Sequence, residues 1–367
     1  MALSAQRAKA GGMADPKLYL RPIGFLYGET AAEAVAEGAA LSLAGGPISF
    51  TAAELIEGVP SCTERRLLAA KELAGSRDSD LARVLERVTT PRPPFVGLAL
   101  FRPLIMGIVN VTPDSFSDGG LYDKTEGAVV RAAELAAAGA DIVDIGGEST
   151  RPGSDPVEEG DELGRVLSVL EGLAGLQAAI SIDTRKACVA RAAARAGATI
   201  FNDVTALTYD PDSLAAAADT GLSVILMHAK GEPKTMHLDP RYDDVVLEVY
   251  DYLEGRIAAA EAVGIERARI AADPGIGFGK TMDHTLSLLA SLSLLHGLGV
   301  PLLVGASRKR FISGVAGGET PQSREPGSFA VALVASAQGA QILRVHDVAG
   351  TRQALSVWRA GVAGTGA

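Results

Sequence analysis

The stretch Leu104-Ile105-Met106-Gly107-Ile108-Val109-Asn110-Val111 is an apolar run of strand length that carries an amide near its end. Seven later stretches have the same form: Asp141–Glu148, Ala179–Asp183, Thr199–Val204, Ser223–Ala229, Arg269–Pro274, Pro301–Ala306 and Gln341–His346. Short aliphatic runs of this kind read as strands of a parallel sheet buried on both faces. Longer Ala- and Leu-rich segments with helical spacing alternate with them, among them Lys124–Ala138, Glu158–Leu173, Lys186–Ala196, Asp244–Val263 and Phe329–Gln338. Gly139, Gly197, Gly221, Gly264, Gly299 and Gly339 fall just ahead of the next strand, where a left-handed glycine closes a helix. Eight strand–helix units in roughly 260 residues predict a (β/α)8 TIM barrel, because an open doubly wound sheet usually stops at five or six strands.

Residues before Phe95 stand outside that count. Pro91-Arg92-Pro93-Pro94 is a rigid, helix-breaking linker and sets the boundary between an N-terminal region, 1–94, and a barrel domain, 95–367. In the N-terminal region Leu18–Gly28 predicts a strand or hairpin, whereas Thr51–Glu57 and Thr63–Ala74 predict helices, giving a small α+β region. Three roles are open to it: a cap on the bottom of the barrel, an oligomerisation surface, or an independent module.

Composition narrows the function. With 47% hydrophobic and 21% charged residues, the chain is too apolar to be disordered and can fill a sizeable core. A net charge of −10 excludes a general nucleic-acid binder, which needs a basic surface. Cys62 and Cys188, the only cysteines, cannot build a disulfide framework or a four-cysteine zinc site. Met1–Lys17 lacks the apolar core of a secretory signal, so the expected location is the cytoplasm. Thr285–Ser307 is uncharged over a membrane-spanning length, but its serines, His296 and Pro301 divide it into an amphipathic helix and a buried strand.

Chemistry in such a barrel gathers at the C-terminal ends of the strands. In chain order those ends carry Asn110, with Asp114 and Asp118 in the loop beyond; Glu148 with Thr150 and Arg151; Asp183; Asn202 and Asp203; and Met227 and His228. The last three strands deliver Asp273 with Phe278 and Lys280, Ser307-Arg308-Lys309, and Arg344 with His346. Each has an ordinary explanation by itself, since Asp183 or Asp203 alone serves equally well as a helix N-cap. Polar groups at every strand end, each needing a partner, point instead to a shared polar ligand. Asp183, Asn202 and Asp273 are acceptor-rich and suit a flat, donor-bearing heterocycle such as a 2-amino-4-oxo pterin or guanine. Lys309, Arg308, Arg151, Arg344 and His346 suit phosphate or pyrophosphate. Asn110 is a neutral oxygen ligand fit for one edge of a hydrated Mg2+. No nucleophile elbow precedes His228, and Gly275-Ile276-Gly277-Phe278-Gly279-Lys280 lacks Walker spacing.

These motifs resemble the signatures of the dihydropteroate synthases. The resemblance lies in Met106–Gly120, Asp144–Gly153, Ser181–Thr184, Phe201–Val204, Asp273–Lys280, Gly305–Lys309 and Arg344–Asp347, in family order. It extends from about Phe95 to the C-terminus and leaves the N-terminal region without a counterpart. It implies a transferase of folate biosynthesis, joining 6-hydroxymethyl-7,8-dihydropterin pyrophosphate to p-aminobenzoate with release of pyrophosphate. By that resemblance Asp183, Asn202, Asp273 and Lys309 bind the pterin, and Met227 is a substrate-binding residue. Asn110 meets Mg2+ and the pyrophosphate, and Arg344 with His346 grips the leaving group. Thr150, Arg151, Phe278 and Ser307 belong to the p-aminobenzoate side, which sulfonamides occupy in this family, while Asp114 and Asp118 sit on a loop that folds over the site. The family also implies a homodimer. Two other readings compete: a methyltetrahydrofolate-binding barrel of a corrinoid methyltransferase, and a catalytically silent homologue. The first has no need of a pyrophosphate site, so Ser307-Arg308-Lys309, Arg344 and His346 favour the synthase; against the second, no site position is lost.

Overall fold

The computed structural model describes residues 16–111, 121–148, 156–232, 235–236 and 238–364. The N-terminal region holds an antiparallel sheet of β1 (Lys17–Leu26), β2 (Leu41–Ser42), β3 (Ser49–Val59) and β4 (Cys62–Ala69), with α1 (Gly28–Ala36), α2 (Ala70–Ala74) and α3 (Ser79–Thr89). β3 is central, paired to β1 on one edge and to β2 and β4 on the other. The two helices expected here, Thr51–Glu57 and Thr63–Ala74, are therefore corrected: the first lies inside β3, and the second is β4 followed by the single turn of α2. Ala and Glu give these stretches a helical composition, but tertiary packing overrides local propensity. Phe50, Ala53 and Leu55 are buried with Leu73, Leu81 and Val88, and that burial requires the strand.

The barrel follows. Its strands are β5 (Leu104–Asn110), β6 (Ile142–Gly146), β7 (Ala179–Asp183), β8 (Ile200–Asp203), β9 (Ser223–Met227), β10 (Ile270–Asp273), β11 (Leu303–Val304) and β12 (Ile342–Val345). All pairings are parallel, in the order β10-β9-β8-β7-β6-β5-β12-β11. A bridge between Ala272 and Leu302 closes the ring. β11 is shorter than the predicted Pro301–Ala306, as suits a segment opening on a proline with no N–H for the ladder. Around the strands lie α4 (Leu121–Ala137), α5 (Glu159–Gly172), α6 (Ala187–Arg195), α7 (Ser213–Thr220), α8 (Val245–Ala262), α9 (Met282–Ala290), α10 (Arg310–Ala316), α11 (Glu325–Ala337) and α12 (Val348–Ala363). The six glycines expected to close helices all have positive φ. No helix among the described residues is long and apolar enough to cross a membrane.

Alternation along each strand positions the site. Leu104, Met106, Ile142, Ile200, Ile225, Ala271, Leu303 and Ile342 share one apolar cluster inside the barrel, plugged from below by fully buried Phe95. Val143, Phe201, Val224, Leu226, Ile270, Ala272 and Leu343 belong to the separate cluster between strands and helices. Two residues beyond each inner apolar position the side chain faces inward again, one layer higher. That layer includes Asp144, Ser181, Asn202, Met227, Asp273, Gly305 and Arg344, with Ile108 from β5.

The N-terminal region is fastened to the barrel's flank. Buried Tyr19 packs edge-on against Tyr250 of α8 at 5.3 Å, and its hydroxyl donates to Asp251 at 3.0 Å. Lys17 and Arg87 both reach Glu254, and Ser293 donates to the Pro22 carbonyl at 2.8 Å.

Candidate active site

Counting by twos from the apolar plug places Asp144 beside the expected site residues, although its motif alone gave no reason to single it out. Asp144 is fully buried in mid-strand β6. Arg344, entering from β12, donates through Nε to Asp144 at 2.6 Å and through a terminal nitrogen to Asp183 at 2.7 Å. Asn202 donates to Asp144 at 3.2 Å. One guanidinium thus bridges two carboxylates across the barrel mouth, and the amide steadies the inner one. The signal that could have found Asp144 was present: an acid in phase with Ile142 in an otherwise apolar strand has no solvent to face.

Electrostatics follow from that crowding. Burial pushes the Asp183 carboxyl up to about 7, opposed by Arg344 and reinforced by Asp144. Burial likewise raises Asp273, against the pull of Lys309. Burial lowers Lys309 to about 8, with Asp273 resisting and Arg344 assisting. For Arg344 burial also favours the neutral form, but Asp144 and Asp183 outweigh it and hold the guanidinium firmly charged. The mouth therefore contains groups poised to change protonation near neutral pH, the usual mark of a functional site.

A second group lies across the mouth. Asp273 accepts from the Gly275 amide at 2.7 Å. Gly275 has φ +64°, and a Cβ there would sit 1.9 Å from the His228 carbonyl, so only glycine makes this turn. Lys309 donates to the Ile276 carbonyl, and its ammonium lies 4.5 Å from the centre of the Phe278 ring. Ser307 Oγ and His346 Nδ1 are 3.0 Å apart. Met227 is buried at the end of β9, in register with Asp273. Asn110 ends β5 beside Gly146, half-buried on the same rim. The structure thus gathers Asn110, Asp183, Asn202, Met227, Asp273, Phe278, Ser307, Lys309, Arg344 and His346 at one end of the barrel. Thr150, Arg151, Asp114 and Asp118 lie outside the described residues.

Several polar groups turn out to serve the scaffold. Asp203 accepts from the Thr205 and Leu207 amides and the Thr205 hydroxyl, so it holds a turn, whereas Asp183 is no cap and pairs with Arg344. Arg308, expected to face an anion, is drawn instead to Glu325 by a backbone with φ +59°. Lys280 is buried with its amine 2.8 Å from His228 Nδ1 and 3.0 Å from the Phe278 carbonyl, lacing the loop that carries Phe278 to β9. Burial lowers Lys280 to about 7, and burial with Lys280 lowers His228 to about 2, leaving that imidazole neutral. Behind the rim, Glu148 accepts from Arg185 at 2.8 Å and Lys186 at 3.1 Å, and Lys186 also meets Glu162.

Comparison with known proteins agrees with this geometry. The pterin binding enzyme family matches residues 106–346. The dihydropteroate synthase of Escherichia coli K12 is 49% identical over 261 residues, 71% of this chain and 92% of the relative. A solved structure of the Xanthomonas albilineans dihydropteroate synthase with 4-aminobenzoic acid is 50% identical, covers 72% of this chain and 96% of its own, and superposes with a TM-score of 0.69. The same enzyme in complex with 7,8-dihydropteroate is 49% identical, covers 72% and 95%, and gives 0.66. With the motifs, the barrel and these relatives in agreement, the chain belongs to the dihydropteroate synthase family.

Proposed function

We propose that the chain condenses 6-hydroxymethyl-7,8-dihydropterin pyrophosphate with p-aminobenzoate, yielding 7,8-dihydropteroate and pyrophosphate in folate biosynthesis. The observation that carries the reading is the layer in which Arg344 joins Asp144 and Asp183 while Asn202, Asp273 and Lys309 close around the same mouth. Acceptors line the floor and cations one wall, the polarity that a flat donor-bearing ring with an anionic tail requires.

The C–O bond to the exocyclic methylene breaks, and its electron pair leaves with the pyrophosphate. The ring spreads the resulting positive charge, the amine attacks the methylene carbon, and the amine proton is lost. Catalysis then consists chiefly in stabilising separating charges and positioning the amine. Asp183 and Asp273, as carboxylates, favour the cationic ring. Arg344 and His346 favour the departing anion, and Lys309 over Phe278 shapes the wall on the amine side. Thr150 and Arg151 complete the p-aminobenzoate side, the one sulfonamides would occupy, and Asp114 and Asp118 belong to the covering loop.

Mg2+ belongs to this proposal as well. Among the described residues no cluster of three or more His, Cys, Asp or Glu could cage an ion. Asn110 offers a single neutral oxygen, a donor set that fits an ion arriving on the pyrophosphate and keeping most of its waters. When bound, the ion supplies charge neutralisation to the leaving group. A cytoplasmic location and a homodimer complete the reading, the location supported by two free cysteines, Cys62 and Cys188.

The test is pyrophosphate release by the purified chain. It is expected only when both substrates and Mg2+ are present. Absence of 7,8-dihydropteroate at saturating substrates would overturn the assignment.

A further inference from the structure

A cavity of about 640 Å3 lies opposite the polar mouth, at the N-terminal ends of β5 and β12, where the N-terminal region meets the barrel bottom. That volume falls within the usual range of small-molecule sites, about 300–1,000 Å3. Its apolar wall is built by Tyr27, Phe101 and Trp358, with Tyr27 and Trp358 packed edge to face at 5.4 Å. The Tyr27 hydroxyl is fixed by donation to the Ala337 carbonyl at 2.9 Å. The wall is thus formed in the folded chain, and it needs the N-terminal region as well as the barrel.

Charge identifies what would fit. Three arginines line the cavity and no acid does, in a chain of net charge −10. Arg102 is neutralised by Asp141 through two bonds of 2.7 and 2.8 Å. Arg92 is not. It donates to the carbonyls of Arg87, Thr90 and His296 at 2.7, 2.8 and 2.9 Å, and its Nε is buried with no partner. Burial, and then the neighbouring Arg267, press Arg92 down to about 10, and no carboxylate opposes them. Arg359 is exposed on the rim and forms no ion pair among the described residues. A partly buried cation without a counter-ion is unfavourable, and an anion in the cavity relieves it.

We propose that this cavity binds a small, flat organic anion, an aromatic carboxylate, with its ring against Trp358 and Tyr27 and its carboxylate facing Arg359 in the field of Arg92. The site is separate from the polar mouth and stands whether or not the synthase reading does.

Trp358 is the only tryptophan of the chain, so its emission reports on this cavity alone. The full chain is titrated with benzoate, with neutral benzamide as the control. Benzoate is expected to change the emission saturably and benzamide is not. Arg359→Ala and Arg92→Gln should each weaken the benzoate response at least about tenfold, as loss of a charge-assisted contact predicts. Lys309→Ala should leave it unchanged, placing the response away from the mouth. Because Arg359 is on the surface, its substitution keeps the test decisive even if Arg92→Gln fails to fold. The proposal is overturned by the absence of a saturable change up to about 10 mM benzoate. An equal response to benzamide, a response indifferent to Arg359→Ala, or one lost in Lys309→Ala would overturn it too.

Discussion

Replacing Asp144 by Asn keeps the shape of the buried side chain and removes its charge. Two hydrogen bonds lose their ionic character, the 2.6 Å bond from Arg344 and the 3.2 Å bond from Asn202. A bond to a charged group is worth about 1.5–3 kcal/mol against about 1 for a neutral one, and the longer Asn202 bond contributes the lesser share. The expected loss of Arg344 orientation is therefore about 1–3 kcal/mol, a fall of roughly 5- to 150-fold in kcat/KM at about 1.4 kcal/mol per decade. Folding should suffer far less. Arg344 keeps Asp183, and removing one of two crowded carboxylates relieves their repulsion, so the urea midpoint should change by less than about 1 kcal/mol equivalent. The same relief lowers the Asp183 pKa, because Asp144 is one of the charges holding it up. The acid limb of kcat/KM should consequently move to lower pH. Pyrophosphate release measured against pH, with a double-mutant cycle using Arg344→Met, checks each step. If Asp144 acts through Arg344, the double variant is no worse than Arg344→Met alone. Additive losses, or an acid limb that stays in place or moves upward, would refute the reasoning.

Two further outcomes are expected. The pH profile of kcat/KM should be bell-shaped, falling below about pH 7 as Asp183 takes up a proton and above about pH 8 as Lys309 loses one. Asp183→Asn should erase the acid limb and Lys309→Arg should shift the alkaline limb upward; unchanged limbs in both would dissociate these residues from the profile. Tyr19→Ala, which empties a buried aromatic site between the N-terminal region and α8, should lower stability by about 3–5 kcal/mol. Circular dichroism and Trp358 fluorescence should report one shared transition on urea unfolding, and two separated transitions would show that the regions do not unfold as one unit.

The barrel was legible because burial on both faces leaves a strong mark: eight aliphatic runs, each broken by a helical segment and several by a glycine stop. Its polar rim was legible for a related reason, since a carboxylate or amide at the end of an apolar strand has few destinations. The β3–β4 hairpin was not. Thr51–Glu57 and Thr63–Ala74 carry Ala, Glu, Arg and Leu, residues that local propensity assigns to helix, and their strand identity rests on the pairing of β3 with β1, of β4 with β3, and on the apolar cluster shared with α3. Such information is carried by contacts distant in sequence, which a window of neighbours cannot hold. Roles within the rim were hidden by a different cause. Asp183 and Asp203 end adjacent strands with the same chemistry, yet one reaches Arg344 across the barrel and the other folds back onto Thr205. What separates them is the face on which each side chain emerges. Asp183 lies in phase with inward Ser181, whereas Asp203 lies one residue past inward Asn202 and so points out of the mouth. That parity could have been counted from the sequence. Applied to every strand, it assigns Asp144 to the mouth and Asp203 to the scaffold, which makes Asp144→Asn a sharper probe of the site than substitution at Asp203.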